Sequence, residues 1–184
     1  KLPKSWKSYL RHIVFVLETT ALTLFIIALA RPQSSSRNKE INVEGIDIVL
    51  AMDISSSMLA ADLKPDRLEA AKAVASDFVK GRPDDRMGLI VFSGETFTQV
   101  PLTTDHGMML NMLGDMKCGM LEDGTAIGDG LASAISRLKD SEAISKVVIL
   151  LTDGDNNAGS IDPGTAAEMA KLFGIRVYTI GAGT

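Results

Sequence analysis

From Ile46 to Met52 the chain is almost unbroken in apolar character, and it ends on Asp53. Such a strand has no wet face, so it belongs in the middle of a parallel sheet covered on both sides. Beyond it, strand and helix periods alternate. Pro65 stands at a first helical turn, opening a helix to about Lys80 with Leu68, Ala71, Ala75, Phe78 and Val79 on one face and Gly81 at its end. Met87 to Phe92 reads as a second strand, and Thr96 to Val100, after Ser93-Gly94, as an antiparallel edge hairpin. Helices are expected over 106–116, 126–138 and 163–173, and strands over 146–151 and 175–180. Strands alternating with helices of this length predict an α/β fold with a doubly wound, mostly parallel sheet and helices on both faces. Ligands of such sheets bind beyond the carboxyl ends of the strands, where Asp53 and Asp153 both fall.

Oxygen-bearing side chains gather at those ends. Asp53, Ser55 and Ser57 alternate as the first strand is left, Thr125 follows Asp123-Gly124, and Thr152-Asp153-Gly154 closes another strand. Two carboxylates and three hydroxyls suit a hard divalent cation such as Mg²⁺ or Mn²⁺. With one cysteine and two histidines, the composition does not support a zinc or iron-sulfur site. Taken alone, Asp53 to Ser57 reads equally well as a polar turn capping a helix.

Other features have plainer readings. Met108, Met109, Met112, Met116 and Met120 stand at helical spacing, as core side chains do. The glycines from Gly124 to Gly130 are not followed by the Gly-Lys-Ser/Thr of a phosphate loop. Their expected task is to bring Thr125 close to the site and start a helix. Cys118 has no cysteine partner, and Asp62, Asp66, Asp84 and Asp85 read as solvated surface charge. No Ser-His-Asp or Cys-His set is credible around His12 or His106.

The first forty residues differ in kind. Seven basic side chains against Glu18 give residues 1–39 a net charge of +6, while 12 basic and 22 acidic residues give the remainder −10. So acidic a folded part makes nucleic acid a poor partner. Between the basic flanks, Ile13 to Ala30 is hydrophobic over 18 residues, about 27 Å as a helix and just enough to cross a hydrocarbon core. Arg31-Pro32 follows with no small-residue cleavage pattern, which argues against a signal peptide and favours a transmembrane helix over the alternative of a buried helix in a soluble protein. Glu18 is costly there, but it lies about a turn and a half from the N-terminal end, near the interface where Trp6 and Tyr9 would form an aromatic belt. The expected organisation is a basic segment 1–12, a membrane helix 13–30, a polar linker 31–40 and an α/β domain 41–184.

Asp53, Ser55, Ser57, Thr125 and Asp153 together resemble the metal-ion-dependent adhesion site of von Willebrand factor A domains, Asp-x-Ser-x-Ser followed by a Thr and an Asp. The resemblance covers about 41–184. It implies that the serines and Thr125 hold the cation directly or through water, that the aspartates act mostly through water, and that a partner's Asp or Glu completes the shell. A narrower likeness, carried by Ala28 to Gln33, Glu122 to Leu131 and Gly154 to Pro163, is to bacterial membrane-anchored proteins of the aerotolerance (Bat) group. It implies an inner-membrane protein with its domain in the periplasm, partnered by sister Bat proteins and linked to a MoxR-type AAA+ ATPase. It also implies further membrane helices before Lys1 and beyond Thr184, while the von Willebrand A resemblance implies a last strand and closing helix beyond Thr184, so the chain is expected to be a fragment. The expected function is metal-dependent protein binding without catalysis. The alternatives are a structural module whose site holds no ion and a Mg²⁺-dependent phosphotransferase of the haloacid-dehalogenase type. The enzyme would need a second Asp two residues after the first, where Ser55 stands.

Overall fold

The computed structural model describes residues 6–29, 45–154 and 156–183. The expected linker 31–40, together with Ala30, Asp155 and Thr184, lies outside the described residues, as do the side chains of Trp6 and Tyr9. The chain divides into two units, residues 1–41 and 42–184.

The first unit contains helix α1, Trp6–Leu29. It starts well before the expected Ile13, so the helix runs through the basic flank, and its 24 residues reach about 36 Å. Its apolar window, His12–Leu29, has the length and composition to cross a membrane. Thr19, Thr20 and Thr23 each donate a hydroxyl proton to a carbonyl a turn earlier, at 2.8–3.0 Å. That is how a hydroxyl is satisfied where no water is available.

The second unit is a five-stranded sheet. Its strands are β1 (Asp47–Asp53), β2 (Arg86–Phe92), β3 (Thr96–Thr103), β4 (Lys146–Thr152) and β5 (Arg176–Gly181). The spatial order is β3-β2-β1-β4-β5, with β3 antiparallel and every other pairing parallel. Helices α2 (Arg67–Lys80), α3 (His106–Asp115), α4 (Ile127–Leu138) and α5 (Pro163–Leu172) cover it.

Side chains alternate along each central strand and so build two cores. Ile48, Leu50 and Met52 of β1 join Met87, Leu89 and Val91 of β2 and Val147, Ile149 and Leu151 of β4 under Leu68, Ala71, Ala75 and Val79 of α2 and Met109 and Leu113 of α3. The opposite pleats, Val49, Ala51, Ile90, Phe92, Val148 and Leu150, lie under α4 and α5 through Leu131, Ile135, Leu138, Ala166 and Ala170. Both faces of β1 are dry, as its unbroken apolar run requires.

The winding of the sheet reverses at β1: β2 lies on one side of it and β4 on the other. The crevice between the carboxyl ends of β1 and β4 is therefore the switch point where ligands of this architecture bind.

Several details depart from the sequence reading. Pro65 precedes α2 rather than opening it, because Asp66 caps the helix by accepting from Glu69 N at 2.8 Å. Strand β3 runs three residues further than expected, to Thr103, since an edge strand tolerates Pro101, whose missing N–H costs no ladder bond. Asp62 and Asp84 are exposed, as expected of surface charge, but Asp62, Asp66 and Asp85 also make structural contacts. Asp62 accepts two hydrogen bonds from Arg67, Asp66 is the cap, and Asp85 accepts from Ile46 N and pairs with Arg82.

Candidate metal centre

Asp53 ends β1 with its side chain fully inside the protein. Its Oδ1 accepts from Ser55 N at 2.9 Å, and its Oδ2 accepts from Thr152 Oγ1 at 2.7 Å. Burial pushes the Asp53 carboxyl above its ordinary value; the Ser55 and Thr152 donors oppose this, and the nearby charge of Asp153 adds to the rise. The group therefore sits where a positive charge would relieve it. Thr152, the last residue of β4, also accepts from Gly154 N at 3.1 Å, tying the exit of β4 to the end of β1.

After Asp53 the chain turns. Met58 N and Ala60 N donate to the carbonyls of Ser55 and Ser57, making a 3₁₀ turn over Ser56–Leu59. The turn brings Ser55 Oγ and Ser57 Oγ to 3.0 Å, with Ser55 buried and Ser57 exposed. Alternation in an extended strand is thus not what unites them; the turn is.

Thr125 is set by a neighbouring loop. Gly94 N donates to Glu122 O at 2.8 Å, and a Cβ on Gly94 would stand 2.8 Å from Asp123 O, so only glycine admits this approach. Gly124, at φ +139°, lies 3.1 Å from Gly94 Cα as measured from where its own Cβ would be. Asp123 fastens the loop to the serine turn, accepting from Ser56 N at 3.1 Å and Ser56 Oγ at 2.9 Å, and these bonds hold its carboxyl below the usual range. Thr125 is buried, with its N–H donated to Asn157 Oδ1 at 2.8 Å and its carbonyl accepting from Asn157 N and Ala158 N. Asn156 Oδ1 accepts from Ile127 N at 2.9 Å and so caps α4.

Asp153 follows β4 with its side chain 6% exposed. Its Oδ2 accepts from Arg67 Nη1 at 3.2 Å. Its Oδ1 is buried and has no hydrogen-bond partner among the described residues. A buried oxygen of that kind is costly unless something positive or a donor meets it.

Asp53, Ser55 and Ser57 thus form one bonded cluster. Asp153 joins it through Thr152 and its charge, and Thr125 is carried alongside by the Asp123–Ser56 bridge. No group of three or more His, Cys, Asp or Glu side chains among the described residues could hold an ion, so an ion here must take hydroxyl oxygens as well as carboxylates. That donor set fits a hard divalent cation, and the unpartnered oxygen of Asp153 gives it a place to act.

Sequence reasoning placed Thr152, Asp123, Asn156 and Asn157 within its motifs without giving them a supporting role, and it did not single out Arg67. Thr152 and the two asparagines lie close to Asp153 in sequence and could have been suspected; nothing local marks Arg67, 86 positions away from Asp153.

Residues 47–184 match the von Willebrand factor type A domain. The chain belongs to that family. It is 36% identical over 166 residues to an uncharacterized protein of Borreliella burgdorferi, covering 89% of this chain and 48% of the relative, so the chain spans about half the length of that protein. Among solved structures, an aerotolerance-related membrane protein from Bacteroides fragilis is 37% identical with a TM-score of 0.71, over 76% of this chain and 68% of that one. Proximal thread matrix protein 1 of the mussel byssus, solved with zinc in its MIDAS motif, is 28% identical with a TM-score of 0.65, over 74% of this chain and 35% of that one. Likeness to a membrane protein agrees with helix α1, which is long and apolar enough to cross a membrane.

Proposed function

We propose that the domain binds a divalent cation, Mg²⁺ or Mn²⁺, through Asp53, Ser55, Ser57, Thr125 and Asp153, and uses it to grip an Asp or Glu of another protein. The observation that carries this reading is the unpartnered buried Oδ1 of Asp153 beside a buried Asp53 carboxyl whose hydrogen-bond donors among the described residues are all neutral. The zinc-bearing motif of the byssus protein supports it by analogy. Three of the five proposed ligands are neutral hydroxyls, so a bound ion keeps attraction for an anionic ligand in its open coordination position. Binding, not catalysis, is the role: the residue two positions beyond Asp53 is Ser55, whose hydroxyl is engaged with Ser57, and no general acid stands there.

The net charge of −10 beyond residue 39 repels an acidic partner at long range. Attraction then comes from the ion at short range, and chelation removes it. Sister Bat proteins are the proposed partners, with a MoxR-type ATPase acting from the cytoplasmic side and the domain in the periplasm. The decisive experiment is a pull-down from membranes with wild type and Thr125→Ala, each with and without EDTA. Partners are expected only with wild type and metal; the same partners in all four samples would defeat the adhesion mechanism. Protease added to spheroplasts should digest the domain, and full protection reverses the orientation.

A further inference from the structure

We infer that Arg67 is a positioning residue for the metal centre, holding Asp153 so that one carboxylate oxygen faces the guanidinium and the other is left for the ion. The inference rests on the site proposed above and goes beyond its five ligands. Arg67 is the first residue of α2. Its Nε and Nη2 donate to Asp62 Oδ1 and Oδ2, both at 2.8 Å, and its remaining terminal nitrogen, Nη1, donates to Asp153 Oδ2 at 3.2 Å. A guanidinium gripped on two donors has a fixed plane, so the direction of the third is fixed too. The backbone of Gly183 lies close over the group: a Cβ there would stand 3.2 Å from Cζ and Nη2. With Oδ2 thus committed, the oxygen without a partner is Oδ1.

Charge and position pull in opposite directions. A guanidinium beside a cation site weakens cation binding by repulsion. A group that orients a ligand strengthens it, and losing such a group commonly costs about 10–100-fold in metal affinity. Lysine keeps the charge and loses the fork, whereas methionine loses both.

The test titrates the full chain in detergent with Mn²⁺, followed by electron paramagnetic resonance, for wild type, Arg67→Lys and Arg67→Met, with thermal unfolding of each metal-free protein alongside. Positioning requires both variants to bind Mn²⁺ about tenfold or more weakly, with an altered bound-Mn²⁺ spectrum. Arg67→Lys matching wild type, or Arg67→Met binding more tightly, makes Arg67 a charge or scaffold group and overturns the inference while leaving the metal site intact. Failure of wild type to bind Mn²⁺ removes the site itself and this role with it. Should Arg67→Met fail to fold, Arg67→Lys alone decides.

Discussion

Strand β1 begins and ends on a buried aspartate, and the two ends are treated in opposite ways. Asp47 at the amino end receives Arg86 through Nε at 2.8 Å and through Nη2, and the hydroxyl of Ser141 as well. Asp53 at the carboxyl end receives only neutral donors among the described residues and has another carboxylate, Asp153, nearby. One carboxylate is closed by a cation the chain supplies; the other has only neutral donors among the described residues and is the one to which the proposed ion is assigned. Both are buried, at 1% and 0% exposed, so burial does not distinguish a structural carboxylate from a proposed ligand. The charge of the partner does.

The sharpest way to break this comparison is to remove each carboxylate in turn. Asp53→Ala should abolish Mg²⁺ and Mn²⁺ binding by calorimetry, a loss of about a hundredfold or more, since a carboxylate of the proposed site, direct or through water, matters at least as much as the groups that support it. Equal heats for wild type and variant would remove the site. Asp47→Ala should leave metal affinity unchanged and lower stability by about 2 kcal/mol in denaturant unfolding, less than for a fully buried pair because the Arg86 side chain is 44% exposed and can be rehydrated. If Asp47→Ala changes metal affinity instead, the two ends are coupled and the contrast fails.

A subtler test uses pH. Burial raises the Asp53 carboxyl above its ordinary 3.8, so the metal-free fold holds that proton more tightly than the unfolded chain does. The contribution of this group to stability is therefore greatest below 3.8 and declines as pH rises through the folded value. Relative to Asp53→Asn, the metal-free wild type should lose stability across that window, and Mn²⁺ affinity should rise across the same window as the ion replaces the proton. An affinity independent of pH there would mean that Asp53 does not face the ion. The smallest effect is expected from Thr152→Val, which deletes one donor to Asp53: about 1 kcal/mol of stability and a further rise of the Asp53 carboxyl, seen by carboxyl-carbon nuclear magnetic resonance. No movement of that resonance would show the Thr152 contact to be dispensable.

Much of this fold is legible in the chain because strand burial writes itself locally. The short apolar run over 146–151 forms the strand expected of it, and Pro163 opens the helix expected over 163–173, where the structure adds Asp162 as the cap through the bond from Gly164 N to Asp162 Oδ2. Two local signals compete at the start of α2, where the ring of Pro65 suggests one boundary and the cap Asp66 sets the other. Asp62 is surface charge as read, but its pairing with Arg67 was not legible, since that depends on Arg67 being presented to it across a turn.

What the sequence by itself determined was the kind of chemistry: hydroxyls and carboxylates at strand ends, few soft ligands, and an apolar helix at one end of an acidic domain. Which carboxylate is closed and which is open was decided only by tertiary structure. Asp47 meets Arg86 across 39 residues, Asp53 meets Thr152 across 99, and Arg67 meets Asp153 across 86. Those encounters arise from sheet order and register, with β4 placed beside β1 by packing of the whole core. Local sequence carries no trace of them, because a side chain's charge partner is chosen by the strand that lies beside it in space, not by its neighbours along the chain.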